Sequence, residues 1–340
     1  MEPIALALFW AGVISASILI YVILDGFDLG VGILFGTTRD ENHREGMVTS
    51  IAPYWDGNET WLVVIGASLF AAFPAVYAVF LGAFYLPVLL MLVGLIFRGI
   101  AFEFRYRSGP MQAFWDRGFF VGSVVVAFVQ GAAVGGLMRG IPVRDGQYAG
   151  GSFSWLHPFP ILTGVGLVLG YALLGAGWLV LKNDGPLRDW ARARIPMLLL
   201  GIAVTLGLAF VVALTIDLTG ELERGAHQIS GWVLVFPPVS AGALLAVWLT
   251  ARSGYDHLPF LLTVLSFVAA FGTLAAMMWP YMIPYSLTVA DAAAPPASLL
   301  FFTYGGVIVL PAIAIYTVGV YWVFRGKSPG VRGPKDSGGI

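Results

Sequence analysis

Six ionisable residues stand out because they fall in or beside long apolar runs. Asp25 and Asp28 lie in Y-V-I-L-D-G-F-D-L-G, Asp56 and Glu59 in P-Y-W-D-G-N-E-T-W, and Arg98 and Glu103 in L-I-F-R-G-I-A-F-E-F. Asp25 with Asp28, and Asp56 with Glu59, are spaced i,i+3, which puts both carboxylates of each pair on one helical face. In hydrocarbon, each charge costs about 2.5–3.5 kcal/mol on insertion scales unless it is paired or faces water. One arginine cannot neutralise five carboxylates, so some must carry a proton or line a hydrated cleft. Such a group is suited to taking up protons and passing them on. The plainer alternative is that Arg98 pairs with one acid as packing glue while the others reach the membrane surface. For Glu103, four residues before Arg107, that alternative is the stronger one.

The placement of these residues depends on the class of protein. The chain has 340 residues, is 59% hydrophobic and only 11% charged, and has a mean hydropathy of +0.86. Soluble domains are about 25% charged, so these values specify an all-α polytopic membrane protein. The 43 Gly and 20 Pro agree with membrane helices, where both are tolerated. A net charge of −1 gives no footing for nucleic acid. The absence of Cys excludes disulfides, zinc–thiolate sites and iron–sulfur ligation. The N-terminus lacks a basic region and reads as a first helix rather than a signal peptide. His43, His157, His227 and His257 all fall in loops or at helix ends, whereas a buried haem takes its axial ligand from within a helix. No metal-ligand spacing, phosphate-cradling loop or nucleophile–base arrangement is present.

Uncharged intervals locate the helices. Those at 3–24, 118–138, 146–181, 195–216, 225–251, 257–290 and 292–324 each supply one crossing of about 20 residues. The interval 60–97 would be about 57 Å long as one helix, too long for a single crossing. It must hold two, with a break near Ala78–Gly82. These extend outward to about residues 52 and 104, which draws Asp56, Glu59, Arg98 and Glu103 toward the membrane. Nine helices result. The loops at 36–50, 105–117, 182–194 and 252–257 then share a side with the C-terminus. Outside the membrane, all Lys/Arg but Arg139, Arg144 and Arg224 fall on that side, which the positive-inside rule makes cytoplasmic. The N-terminus is then periplasmic. Residues 1–325 form a single transmembrane domain, and 326–340, rich in Gly, Pro and Ser, a disordered cytoplasmic tail. Asp25, Asp56 and Arg98 reach one depth at the cytoplasmic ends of the first three helices. Gly26, Gly30, Gly32 and Gly36 have small-xxx-small spacing and serve helix packing. Trp10, Trp115, Trp155, Trp190, Trp232, Trp279 and Trp322 read as interfacial belts. Asp217, Glu221, Glu223 and Asp291 read as solvated charges on the outer side.

Three stretches are distinctive together: Y-V-I-L-D-G-F-D-L-G-V-G-I-L (21–34), S-I-A-P-Y-W-D-G-N-E-T-W-L-V (50–63) and Y-L-P-V-L-L-M-L-V-G-L-I-F-R-G-I-A-F-E-F-R (85–105). They closely resemble subunit II of the bacterial cytochrome bd quinol oxidases, particularly the cyanide-insensitive type. The later W-P-Y-M-I-P-Y-S (279–286) agrees but is less diagnostic. The resemblance implies a fold of two four-helix bundles plus one peripheral helix. It implies a heterodimer in the cytoplasmic membrane that oxidises quinol, reduces dioxygen to water and builds proton-motive force. Haem b, haem d and the quinol site would belong to subunit I, the partner. By motif position, Asp25 and Asp56 are relay carboxylates on a cytoplasmic proton path, with Trp55 beside Asp56, Asp28 and Glu59 supporting, and Arg98 as counter-charge. Some family members hold a structural quinone in this subunit, and a small accessory subunit and membrane lipid are further partners the resemblance leaves open. Two rival functions are a proton-coupled secondary transporter, where embedded acids are equally natural, and a purely structural assembly subunit. Transporters place such residues near the midplane, which disfavours the first.

Overall fold

The computed structural model describes residues 3–105, 109–215, 234–252 and 254–328. Arg107, Asp217, Glu221, Glu223, His227, Trp232 and residues 329–340 lie outside them. The helices are α1 (Pro3–Phe35), α2 (Glu41–Ile51), α3 (Trp55–Ala72), α4 (Pro74–Phe104), α5 (Gln112–Met138), α6 (Pro158–Lys182), α7 (Gly185–Thr215), α8 (Phe236–Thr250), α9 (Leu258–Met278), the short α10 (Val289–Ala292) and α11 (Pro296–Val323). Seven of these, α1, α4, α5, α6, α7, α9 and α11, are long and apolar enough to cross a membrane. The 18-residue α3 carries Asp56 and Glu59 in its first turns, and α8 is a shorter apolar helix.

Several expected boundaries move. The break in the 60–97 stretch falls at Phe73, not near Ala78–Gly82. Phe73 leaves the helical region (φ −137°, ψ 61°) because it precedes Pro74, which opens α4 as a helix N-terminal proline. A kink within α4 at Phe84 precedes Pro87, whose ring and missing N–H disrupt the turn before it. The first helix does not stop near residue 24: α1 runs through D-G-F-D-L-G-V-G to Phe35, because its two acids are buried against other helices rather than released to water. The segment 36–50, expected as a loop, contains α2. Its start is fixed by Asp40, which accepts a hydrogen bond from the Asn42 N–H at 2.9 Å, and it buries Met47, Val48 and Ile51. The 257–290 stretch ends as a helix at Met278 and continues as the hairpin β3 (Tyr281–Ile283) and β4 (Leu287–Thr288). A second hairpin, β1 (Val143–Arg144) and β2 (Gln147–Tyr148), turns through Asp145-Gly146, both at positive φ.

The core divides into two large clusters and a small one of Tyr21, Trp61 and Ile65 between α1 and α3. The first large cluster joins Phe27–Phe35 of α1 and Tyr171–Val180 of α6 to α2, α5 and α7; the second joins Trp10 of α1, Phe73, Phe84 of α4 and Ile283. Phe27 stacks on Trp178 at 4.0 Å between ring centroids. The α1–α6 crossing is close because Gly30 faces Gly175. A Cβ at Gly30 would run into the Tyr171 carbonyl oxygen. Gly26 faces the Tyr171 ring on the same helix, while Gly32 and Gly36 face Ser123 and Phe120 of α5.

Ion pairs cluster at the end of the bundle that carries α2. Arg105 contacts Glu41 and binds Asp116 through Nε at 2.7 Å, and Arg44 reaches the same Asp116 at 3.3 Å. Of the expected disordered tail, Gly326–Ser328 are bound to α6. Lys182 Nζ donates to the carbonyls of Phe324 (2.5 Å) and Gly326 (2.8 Å), and the Ser328 N–H donates to the Lys182 carbonyl (2.6 Å). Lys327 binds Asp256, in the α8–α9 loop, at 2.9 Å, and Arg192 holds its other oxygen at 2.5 Å. Partial burial works against the Asp256 carboxylate, but Lys327, Arg188 and Arg192 outweigh it and hold its pKa below the ordinary value. A depressed folded-state pKa contributes stability that is present above the unfolded value and lost as pH falls through the folded one. Acidification below about pH 4 should therefore loosen the strap at Lys327. Limited proteolysis between pH 6 and pH 3 should show this step, and Asp256→Asn should abolish it by leaving the strap loose throughout.

Candidate functional site

Arg98 of α4 is buried between two carboxylates of α1. All three side chains are sealed: Asp25 and Asp28 are 0% exposed and Arg98 1%. Arg98 Nη2 lies 2.7 Å from Asp25 Oδ1 and 3.9 Å from Asp28 Oδ2. The i,i+3 spacing brings both acids to one side of α1, where the long Arg98 side chain reaches them from α4. Removing these charges from water is costly, and the ion pair recovers part of that cost. Beyond these ion-pair contacts, Arg98 Nη1, Asp25 Oδ2 and Asp28 Oδ1 make no hydrogen bond with the protein.

The next helix supplies the first neutral partner. Asn58 of α3 is 1% exposed and donates through Nδ2 to Asp28 Oδ2 at 2.7 Å and to the Leu24 carbonyl at 3.2 Å. Its carbonyl oxygen accepts from the Tyr321 hydroxyl of α11 at 3.1 Å. Tyr321 packs on Tyr54, whose hydroxyl donates to the Phe324 carbonyl at 2.5 Å. A groove of about 350 Å³ lies on this side, lined by Leu24, Thr317, Val318, Tyr321, Trp322 and Arg325. One turn before Asp25, the Tyr21 hydroxyl accepts from Gln130 Nε2 at 2.8 Å, and the Tyr171 hydroxyl donates to Gln130 Oε1 at 2.7 Å.

The convergence expected of five carboxylates on Arg98 is therefore narrower. Asp25 and Asp28 reach it. Glu59 is half-buried and near enough for Arg98 and Asp28 to feel its charge. Asp56 does not join them. It is exposed, because two residues along a helix lie on nearly opposite faces and α3 turns Asn58 toward α1. Trp55 packs on Phe102 of α4 at 5.3 Å between centroids. Glu103 is exposed at the end of α4, and Arg105, the residue capping that helix, makes the buried ion pairs instead. Asn58, Tyr321, Tyr21, Gln130 and Tyr171 were not singled out from sequence. Only Asn58 carried a local signal, as the polar residue between Asp56 and Glu59.

The chain matches the family described as cytochrome bd terminal oxidase subunit II over residues 6–324. It belongs to that family. Among its relatives, the Escherichia coli K12 protein named cytochrome bd-I ubiquinol oxidase subunit 2 is 32% identical, with 94% of each chain covered. The Bacillus subtilis cytochrome bd ubiquinol oxidase subunit 2 is 29% identical, with 93% of this chain and 95% of that one covered. The solved bd oxidase of Geobacillus thermodenitrificans shares the fold, with a TM-score of 0.72 at 15% identity over 94% of this chain and 99% of that chain. As a cytochrome bd subunit II, the chain is a multi-pass protein of the bacterial inner membrane and part of an oxidase complex.

Proposed function

We propose that this subunit II pairs with a haem-bearing subunit I in a quinol oxidase that reduces dioxygen to water, and that it provides scaffold and a cytoplasmic proton uptake path. The buried Asp25–Arg98–Asp28 cluster carries this reading. A single charge of each sign would suffice for packing; a second carboxylate in a sealed space creates a group able to bind and release a proton. Its neighbours favour the cytoplasmic end: Arg39, Arg44, Arg105, Lys182, Arg188, Arg192, Arg325 and Lys327 belong to the loops, α2, the adjoining ends of α4, α6 and α7, and the strap. With α3 and α8 counted as crossings, nine helices result. Helices α1, α3, α4 and α5 then form one bundle, α6–α9 the second, and α11 stands at the periphery, in contact with α3 and α1.

Haem is the redox group of the family. Among the described residues, His43 lies in α2 and His157 and His257 sit at helix N-termini, so none offers an axial ligand at membrane depth. No cluster of three metal-ligating side chains occurs among them either. These residues do not fit a haem. Haem b, haem d and the quinol site are assigned to the partner on the family resemblance, and the partner would carry the redox chemistry.

This chain's own part is the proton. Asp56, exposed on α3, is the outer station, with Trp55 beside it and Glu59 one turn further in. The Asp25–Arg98–Asp28 cluster is the inner one. Asp56→Asn should slow oxygen reduction by roughly an order of magnitude while haem content stays normal, since the amide keeps the shape and cannot release a proton. Wild-type turnover with intact haems would end the relay assignment for Asp56. Loss of the haems would make it a structural residue instead.

A further inference from the structure

Three sealed groups at the inner station carry one permanent positive charge and up to two negative ones. A net buried charge is costly, so the trio retains one proton. The distances are unequal. Asp25 lies against the guanidinium at 2.7 Å, while Asp28 stands off at 3.9 Å. Asp28 accepts one neutral amide hydrogen bond on Oδ2, while neither its Oδ1 nor the Asp25 Oδ2 has a hydrogen-bond partner. Asp25 has the guanidinium in contact to offset that, whereas an anionic Asp28 would face it only at 3.9 Å, which costs more than a neutral hydroxyl. The groups facing Asp28 from the packed elements are Arg98 of α4, Asn58 and Glu59 of α3, Asp25 of α1, Tyr54 before α3, and Tyr321 of α11. Arg98 is the single cation among them and is already engaged by Asp25.

We propose that Asp28 is the carboxyl that holds the transferable proton, oriented by Asn58 and Tyr321, while Asp25 is the fixed counter-ion of Arg98. This rests on the proton-uptake reading above and assigns the roles within it. Asn58 is a positioning residue. The Leu24 carbonyl, which can only accept, fixes the flip that turns the NH2 toward Asp28, and the Tyr321 hydroxyl donates to the Asn58 Oδ1 on the other side. The last helix thereby braces the amide that holds a carboxyl on the first.

Infrared difference spectra of the purified oxidase read the protonated carboxyl directly through its C=O stretch. Asp28→Glu should move that band and Asp25→Glu should leave it in place. Asn58→Leu, and the milder Asn58→Ser, should shift it to higher frequency, because the carbonyl oxygen loses its donor. Tyr321→Phe should shift it the same way by less. The proposal is overturned if Asp25→Glu moves the band and Asp28→Glu does not, or if the band ignores both Asn58 variants. The relay reading fails separately: Asp28→Asn turning over at the wild-type rate would refute proton transfer here even with the band assigned to Asp28.

Discussion

Arg98→Met should cost the assembled complex about 3–5 kcal/mol, the penalty for removing one partner of a buried ion pair. Methionine fills most of the arginine stem and leaves Asp25 without its counter-ion in a site 0% exposed. Asp25 must then take up a proton or draw in water, and α1 and α4 lose the contact that ties them together. Thermal unfolding of the detergent-solubilised complex should show a lower Tm and a poor yield of haem-loaded protein. Arg98→Met combined with Asp25→Asn should recover part of the loss, since residues in one ion pair are not additive. A single variant as stable as wild type would mean that the cluster is hydrated rather than sealed.

Gly30→Ala should be nearly as damaging, although it adds one methyl. The Cβ would meet the Tyr171 carbonyl oxygen and the backbone around Gly175, and neither can rotate away as a side chain could. The α1–α6 crossing must open, which costs about 1–3 kcal/mol or more in overpacking and weakens the close contact that small residues permit between membrane helices. Gly12→Ala, in the same helix, provides the contrast. Its Cβ meets nothing within 4 Å, so it should be neutral or slightly stabilising through helix propensity. Equal loss of complex in both variants would show that α1 is sensitive to any substitution rather than to this crossing.

The charges that define the site were legible because a carboxylate or guanidinium inside an apolar run is expensive, and expense is visible in one dimension. Asp25, Asp28 and Arg98 were found that way. The same logic placed Asp56 with them, and that failed: spacing puts Asp56 and Glu59 on one face but does not say that α3 turns Asn58 inward. The uncharged-interval ruler ended the first helix near residue 24 for a related reason. It assumes that a charge marks water, whereas here the charge marks another charge. The Phe73 break was available from Pro74. Neutral polar partners were not available, because Tyr321 and Gln130 look like ordinary members of apolar helices and their partners lie far away in sequence. The family resemblance was carried by the segments that form α1, α3 and α4, the helices that build the site.

The Tyr321–Asn58 hydrogen bond spans 263 positions of sequence. A chain emerging from the ribosome inserts α1, α3 and α4 first, and can close the Arg98 ion pair while most of the protein is still unmade. The α3 amide and the flank of Leu24 stay uncovered until α11 arrives and the Lys182 ammonium takes hold of the Phe324 and Gly326 carbonyls. Completion of synthesis is thus recorded at the acids of the first helix. A chain cut short before α11 would leave the Asn58 carbonyl oxygen without this donor and the flank of Leu24 open to the membrane.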